Sequence, residues 1–174
     1  MIALFLLSGN MLLCQNNVAV GVTQDLKLAL VDDDYGNEPF TLDAILKVEY
    51  HAGELDFMTF YGQWERAALA GGTYDRVAFG TGGGFRLGNF IVTPSINFGQ
   101  IRRFDEWSWS TELQGEITYL VSGNLGLNAL YWYTNRTDIG LWRSNFGIGV
   151  KYHFRTTDRN TKNRKRLWQD QHAG

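Results

Sequence analysis

Apolar and polar side chains alternate along most of the chain between residues 18 and 154. Residues 107–121 show the pattern most clearly, because their odd positions are mostly apolar and their even positions, which include Glu112 and Glu116, are nearly all polar. A period of two is typical of a β-strand with one apolar and one polar face. The chain has 174 residues, which is enough for one domain. The alternation therefore predicts a single all-β domain.

Eight segments with this pattern can be distinguished, at residues 18–30, 40–50, 55–64, 74–87, 90–100, 107–121, 125–133 and 139–154. The connections at 51–54, 88–89 and 122–124 are short and rich in turn-forming residues, whereas those at 31–39, 65–73, 101–106 and 134–138 are longer and more charged. Short turns at one rim and longer loops at the other are typical of membrane barrels. We therefore predict an eight-stranded antiparallel up-and-down transmembrane β-barrel with both termini at the short-turn, periplasmic rim. Pro94, inside the fifth segment, predicts a bulge.

The alternation alone does not decide which face points outward. If the apolar face pointed inward, the chain would be a soluble lipocalin-like barrel that binds an apolar ligand, and this alternative stays open. Aromatic residues favour the membrane barrel, because they gather near both ends of the segments, as in the girdles at the two membrane interfaces. Those near the longer loops are Tyr61, Trp64, Trp107, Trp109, Tyr131, Trp132, Tyr133 and Trp142, and those near the short turns are Tyr50, Phe85, Phe90, Tyr119, Tyr152 and Phe154.

The polar face carries six acidic and six basic residues, which we predict to form a charge network inside the barrel. Side chains fill the lumen of an eight-stranded barrel, and charges buried there must neutralise one another. A regular hairpin after the third segment would also place Met58 and Phe60 across from Ala78 and Gly80, so that large residues face small ones. The twelve charged residues are Asp25, Lys27, Asp43, Lys47, Glu49, Asp56, Arg76, Arg86, Glu112, Glu116, Arg143 and Lys151.

The two ends of the chain differ in composition from the barrel segments. Residues 1–15 contain two short apolar runs and are predicted to be a signal peptide, with lipidation of Cys14 as an alternative to simple cleavage. Residues 16–154 would form the barrel. Residues 155–174 are polar and rich in Lys and Arg, and we expect a disordered periplasmic tail. The alternative is a tail that binds anionic lipid head groups or a periplasmic partner.

Residues 146–154, with the sequence FGIGVKYHF, alternate apolar residues and end in Phe. This segment resembles the C-terminal strand of the small bacterial outer-membrane barrels of the OmpA/OmpX type, and the resemblance covers residues 18–154. It implies an outer-membrane location, contact with outer-membrane lipids and lipopolysaccharide, and recognition of this strand by the barrel-assembly machinery. The residues that would carry the assembly signal are Phe146, Ile148, Val150, Tyr152 and Phe154.

The sequence also disfavours several classes of function. The net charge of −2 argues against a nucleic-acid binder. The lack of a run of 18 apolar residues excludes a helical membrane span. A lipid A-modifying barrel enzyme is the catalytic alternative, but none of His51, His153 and His172 stands in the His-x-Ser pattern of the deacylases. We therefore predict a non-enzymatic monomer, without cofactor or metal, that has a structural or surface-interaction role in the cell envelope.

Overall fold

A computed structural model describes residues 17–26, 43–52, 58–69, 72–122 and 124–155. These residues form nine β-strands: β1 Asn17–Asp25, β2 Asp43–Ala52, β3 Met58–Leu69, β4 Gly72–Gly83, β5 Phe85–Leu87, β6 Phe90–Arg103, β7 Glu106–Leu120, β8 Leu125–Arg136 and β9 Leu141–Arg155. In this part of the chain, no helix has the length and apolar character needed to cross a membrane. The predicted signal peptide and nearly all of the predicted tail lie outside the described residues.

The strands form one closed antiparallel sheet. Apart from β4 and β5, strands that are neighbours in sequence pair with each other, and β1 also pairs with β9, so that the first and last strands close the barrel. Both β4 and β5 pair with β6, and together they occupy one position in the barrel wall. The structure therefore confirms the predicted eight-stranded antiparallel up-and-down barrel.

Pro94 explains why β4 and β5 are separate strands. On one side of β6, the pairing of Gly82 with Ser95 resumes at Phe85 with Val92, and both strands advance by the same number of residues. On the other side, the register of β6 with β7 continues through Pro94 without interruption. Because proline has no backbone N–H, the ladder is interrupted only on one side. The predicted bulge is wrong, since no extra residue is inserted.

Two connections between described strands are shorter than the sequence suggests. Residues 70–71 join β3 to β4, and Phe104 and Asp105, both with positive φ (52° and 64°), join β6 to β7. Most of the predicted loops at 65–73 and 101–106 are instead parts of long strands, so those two loop predictions are wrong. The described connections at the two rims therefore do not differ clearly in length. The periplasmic placement of the termini stays a prediction.

Burial follows the reverse of the pattern found in soluble proteins. On β7, Leu113 and Ile117 point outward and are half exposed, whereas Glu112 and Glu116 point inward and are buried. The same holds on β9, where Ile148 and Val150 are exposed and Lys151 is buried. An apolar exterior around a polar interior contradicts the lipocalin-like alternative, which is therefore wrong. It is the arrangement that a hydrocarbon environment requires.

Candidate functional site in the polar interior

The inward face of β3 is the main correction to the predicted interior. Met58 and Phe60 point outward, each with 46% of its surface exposed, and Thr59, Gln63 and Glu65 are buried inside the barrel. The predicted packing of Met58 and Phe60 against Ala78 and Gly80 is therefore wrong. Asp56, which was predicted as part of the interior charge network, lies outside the described residues.

Large residues nevertheless face small ones inside the barrel. Tyr61 is buried and paired with Gly80 on β4. A Cβ atom added to Gly80 would overlap the Tyr61 ring and would also come within 2.7 Å of the Asn97 Cβ atom. The absence of a side chain at this glycine is therefore what allows the tyrosine to cross the narrow lumen.

Four charged side chains form a closed group in the half of the interior nearer the termini. Lys47 Nζ lies 3.0 Å from Glu49 Oε1 and 3.0 Å from Glu116 Oε2, and Lys151 Nζ lies 2.8 Å from Glu49 Oε2 and also contacts Glu116. Each lysine therefore contacts both glutamates, and the group is electrically neutral. We call these four residues the lower square. It joins β2, β7 and β9 across the lumen, and all four side chains are buried.

Two histidines border the lower square towards the termini. His51 Nε2 lies 3.1 Å from Glu49 Oε2, and its Nδ1 lies 3.2 Å from the Thr59 hydroxyl. The His153 ring is 6.0 Å from the His51 ring, measured between centroids. Neither histidine lies in an exposed turn, because β2 and β9 extend far enough to place both inside the barrel.

Arg76 and Glu112 form the centre of a second group in the other half of the interior, and both side chains have no exposed surface. Arg76 Nη1 donates to Glu112 Oε2 at 3.0 Å, and Arg76 Nε donates to the Ser110 hydroxyl at 2.8 Å. Arg76 Nη2 donates to the amide oxygen of Asn97. Glu65 approaches the same guanidinium at 3.8 Å. We call Arg76, Glu112 and their hydrogen-bond partners the upper network.

Glu112 accepts two hydrogen bonds at each carboxylate oxygen. Oε1 accepts from Asn97 Nδ2 at 2.8 Å and from Gln114 Nε2 at 2.5 Å. Oε2 accepts from Arg76 and from the Thr134 hydroxyl, the latter at 2.6 Å. The donors come from β4, β6, β7 and β8, so this carboxylate links half of the barrel wall.

A mostly uncharged layer separates the two charged groups. Ile45 lies between Asp43 and Lys47 on β2, and it packs with Leu130 and Trp132 in one buried apolar cluster. Gln114 lies between Glu112 and Glu116 on β7, and it donates to Gln63 Oε1 at 2.7 Å. The interior is therefore layered along the barrel, with a charged group on either side of apolar and amide side chains.

We call the end of the barrel where β8 connects to β9 the upper rim, and the opposite end, where β1 begins and β9 ends, the lower rim. Further polar contacts lie near the upper rim. Arg136 donates two hydrogen bonds to Asp138, at 2.8 and 2.7 Å, and its guanidinium carbon lies 4.2 Å from the centre of the Tyr74 ring. Asn145 donates to Asp25 at 2.6 Å. Glu65, Tyr74 and Arg136 were not predicted as interior residues, because they fall in or beside segments that the sequence suggested to be loops.

The structure brings together most of the predicted charge network. The residues that are buried inside the barrel are Asp25, Asp43, Lys47, Glu49, Arg76, Glu112, Glu116 and Lys151. Arg143 is partly buried near the upper rim. Arg86 is exposed at the lower rim, where it donates to the Gly88 carbonyl at 3.2 Å, so its placement in the buried network is wrong. Lys27 and Asp56 lie outside the described residues.

The outward face carries most of the predicted aromatic residues and the predicted assembly signal. Trp107, Trp109 and Trp142 are exposed near the upper rim, and Tyr119, Tyr152 and Phe154 are exposed near the lower rim. Tyr61 and Trp132 are buried inside, so their assignment to the belt is wrong. All five residues of the assembly signal, Phe146, Ile148, Val150, Tyr152 and Phe154, point outward on β9. Their recognition by an assembly machinery stays a prediction.

The described residues offer no group of three or more His, Cys, Asp or Glu side chains that is placed to hold a metal ion. The chemistry of the interior is that of mutual neutralisation. In the lower square and around Arg76 and Glu112, buried cations and anions contact one another and the neighbouring amides and hydroxyls. Asp43 Oδ1 and Glu65 Oε2 have no hydrogen-bond partner among the described residues.

Comparisons with known proteins identify the same architecture. No protein-family model matches the chain, and no curated protein sequence matches it. The outer membrane protein Ail of Yersinia pestis, solved in a phospholipid bilayer nanodisc, is similar with a TM-score of 0.54 and 15% identity, over 80% of this chain and 99% of that one. A de novo designed transmembrane β-barrel is similar with a TM-score of 0.52 and 15% identity, over 81% of this chain and 96% of that one. The chain therefore has the fold of the small outer-membrane β-barrels.

Proposed function

We propose that the protein is a barrel of the outer membrane whose interior is a sealed polar plug, and that its role is to stabilise the envelope or to present its rims to other envelope components. The observation that carries the proposal is the pair of charged groups at two levels of the lumen, with the Ile45, Leu130 and Trp132 cluster between them.

A continuous water path would have to pass both groups. At the lower square, Lys47 on β2 contacts Glu116 on β7 and Lys151 on β9 contacts Glu49 on β2, so that ion pairs link three strands across the lumen. In the upper network, Arg76 on β4 contacts Glu112 on β7 over the inner face of β6, where it also donates to Asn97. Opening a path would require the separation of these buried ion pairs. Such separation is costly, because removing one partner of a buried ion pair destabilises a protein by about 3–5 kcal/mol.

We also propose which partners contact the apolar exterior. Outer-membrane lipids would surround the outward face, the barrel-assembly machinery would read β9, and the barrel would act as a monomer. We further propose that the protein is not an enzyme, that residues 1–15 are a signal peptide, and that residues 155–174 form a disordered periplasmic tail, with binding of anionic lipid or of a periplasmic partner as the alternative for the tail.

Electrical recording in a planar lipid bilayer tests the sealed interior. The wild-type barrel should show no steady conductance. A variant in which both lysines of the lower square are replaced, Lys47→Ala with Lys151→Ala, should remain closed at the upper network. Steady, voltage-independent channels from the wild-type protein would contradict the proposal.

Extraction from cells tests the location. The protein should remain with the membrane fraction until detergent is added, and unheated samples should migrate faster in gel electrophoresis than heated ones. Complete recovery in a soluble fraction would contradict the membrane part of the proposal independently of the conductance result.

A further inference from the structure

Three outward-facing residues of the described strands are charged, and they form one row. Arg66 on β3 is paired with Asp75 on β4, and Asp75 is paired with Arg102 on β6. Trp107 on β7 continues the row as the partner of Arg102. The other outward-facing residues in the described strands are apolar or uncharged. We call Arg66, Asp75, Arg102 and Trp107 the charged row.

The charged row lies directly beyond the aromatic belt. Two residues further into the apolar band, Trp64, Val77, Gln100 and Trp109 form the adjacent row in the same register. Trp109 has 69% of its surface exposed to the outside of the barrel. Tryptophans in such a belt lie at the level of the lipid head groups. The charged row is therefore placed where the apolar band meets the head groups.

Stability does not explain these charges. Exposed ion pairs contribute about 0–1 kcal/mol. Arg66 Nε lies 3.8 Å from Asp75 Oδ1, and Arg102 Nη2 lies 2.6 Å from Asp105 Oδ1, but the two arginine side chains remain 56% and 49% exposed. Each guanidinium has five N–H donors, so one carboxylate contact leaves most of them available. The aspartates therefore position the guanidinium groups and leave most of their N–H donors available to a ligand.

We propose that Arg66 and Arg102 bind the phosphate group of a lipid in the adjoining leaflet, and the proposal rests on the membrane insertion proposed above. The planar fork of a guanidinium matches phosphate oxygens with two parallel hydrogen bonds. Trp107, whose ring lies 6.0 Å from the Arg102 guanidinium, would cover the apolar part of the same lipid. The two arginines stand two strands apart, about 10 Å, which is the scale of one head group.

The acidic neighbours distinguish this site from a simple basic patch. Asp75 and Asp105 balance the two arginines, so the row has little long-range attraction for anions. Binding would depend on short hydrogen bonds to a phosphate that the bilayer holds beside the barrel at high local concentration. Lysine in place of each arginine keeps the positive charge but lacks the planar guanidinium, so such a variant should bind the lipid phosphate less well.

Lipid retention in nanodiscs tests the site. The full chain is inserted in phosphatidylcholine nanodiscs that contain about one phosphatidic acid in ten lipids, and native mass spectrometry counts the lipids that stay bound after ejection. Wild type should retain phosphatidic acid in preference to phosphatidylcholine. Arg66→Gln with Arg102→Gln should lower that retention by about tenfold, which is about 1.4 kcal/mol. Arg66→Lys with Arg102→Lys should fall between them.

Arg86→Gln is the matched control, because Arg86 is an exposed arginine at the opposite rim. It should retain phosphatidic acid like the wild type. Equal losses in the Arg86 variant, or no lipid preference in the wild type, would overturn the proposal. Heat-modifiable gel mobility, measured on the same nanodiscs, reports insertion. A barrel that fails to insert contradicts the proposed function. An inserted barrel without lipid preference contradicts only the proposed phosphate binding by the charged row.

Discussion

Replacement of Glu112 by glutamine should strongly destabilise the barrel, although it changes the shape of the side chain very little. Both carboxylate oxygens accept two hydrogen bonds, one pair from Asn97 and Gln114 and the other from Arg76 and Thr134. An amide has one acceptor oxygen and one donor nitrogen. Whichever way the new amide is turned, its nitrogen faces two groups that donate to the present carboxylate.

The magnitude follows from burial and charge. A buried donor without an acceptor costs about 1–3 kcal/mol, although the Thr134 hydroxyl can rotate to reduce one of these losses. The Arg76 guanidinium also loses its nearest counter-ion, and Glu65 at 3.8 Å is a weaker substitute. Removing one partner of a buried ion pair costs about 3–5 kcal/mol. We expect Glu112→Gln to lower the free energy of unfolding by about 3 kcal/mol or more.

Urea unfolding in lipid vesicles, followed by tryptophan fluorescence, measures this difference. Asp105→Asn is the matched control, since it neutralises a partner of the Arg102 ion pair, in which the Asp105 side chain is 88% exposed. Asparagine also tolerates the positive φ at this position. The control should change the free energy of unfolding by less than about 1 kcal/mol.

The double variant Arg76→Leu, Glu112→Leu completes the test. With both charges removed, the loss should be smaller than the sum of the losses in Arg76→Leu and Glu112→Leu alone, because each single variant leaves one buried charge unpaired and the double variant removes both partners of the pair. Equal effects of Glu112→Gln and Asp105→Asn would refute the reasoning, because they would mean that water reaches the upper network as freely as it reaches the rim.

Three further predictions use other parts of the barrel. Leu113→Arg, on the outward face, should reduce the fraction that folds into vesicles, since an arginine near the bilayer midplane costs about 2–4 kcal/mol; normal folding would argue against lipid exposure of that face. Gly80→Ala should lower the melting temperature, because the new methyl group meets the Tyr61 ring, at a cost of about 1–3 kcal/mol, whereas Gly115→Ala, with no atom within 4 Å, should leave it unchanged. Phe104→Asn should raise the free energy of unfolding by up to about 1 kcal/mol, because asparagine adopts the positive φ of the turn more readily; an unchanged value would show that the turn holds no strain.

The sequence predicted the two faces of β7 and β9 because only one face of each is apolar. On β3 the same method failed, because apolar residues occur in both phases. Met58 and Phe60 are as apolar as Leu55 and Phe57, which belong to the other phase. With two apolar phases, a period of two cannot identify the inward face. The polar residues Thr59, Gln63 and Glu65 would have shown the correct phase if the strand had been extended past Trp64.

Connection lengths were mispredicted for a related reason. Glu65, Arg66, Arg102 and Glu106 are charged, and charged residues between apolar segments suggest loops. In this barrel they lie on strands near or beyond the edge of the apolar band, where backbone pairing continues but lipid no longer surrounds the wall. Polarity marks the edge of the membrane there and not the end of the strand.

The pairing of the interior charges was beyond the sequence, although eight of the charged residues predicted for the interior are buried there. Lys47 contacts Glu116 over 69 residues, and Lys151 contacts Glu49 over 102 residues. Such contacts exist only after β1 pairs with β9, because closure brings β2, β7 and β9 around one lumen. On a solvated surface the same charges would not need partners, whereas inside a narrow barrel each must find one. The closed sheet and the neutral lower square therefore depend on each other, since the sheet places the charges and their mutual neutralisation makes the closed interior affordable in free energy.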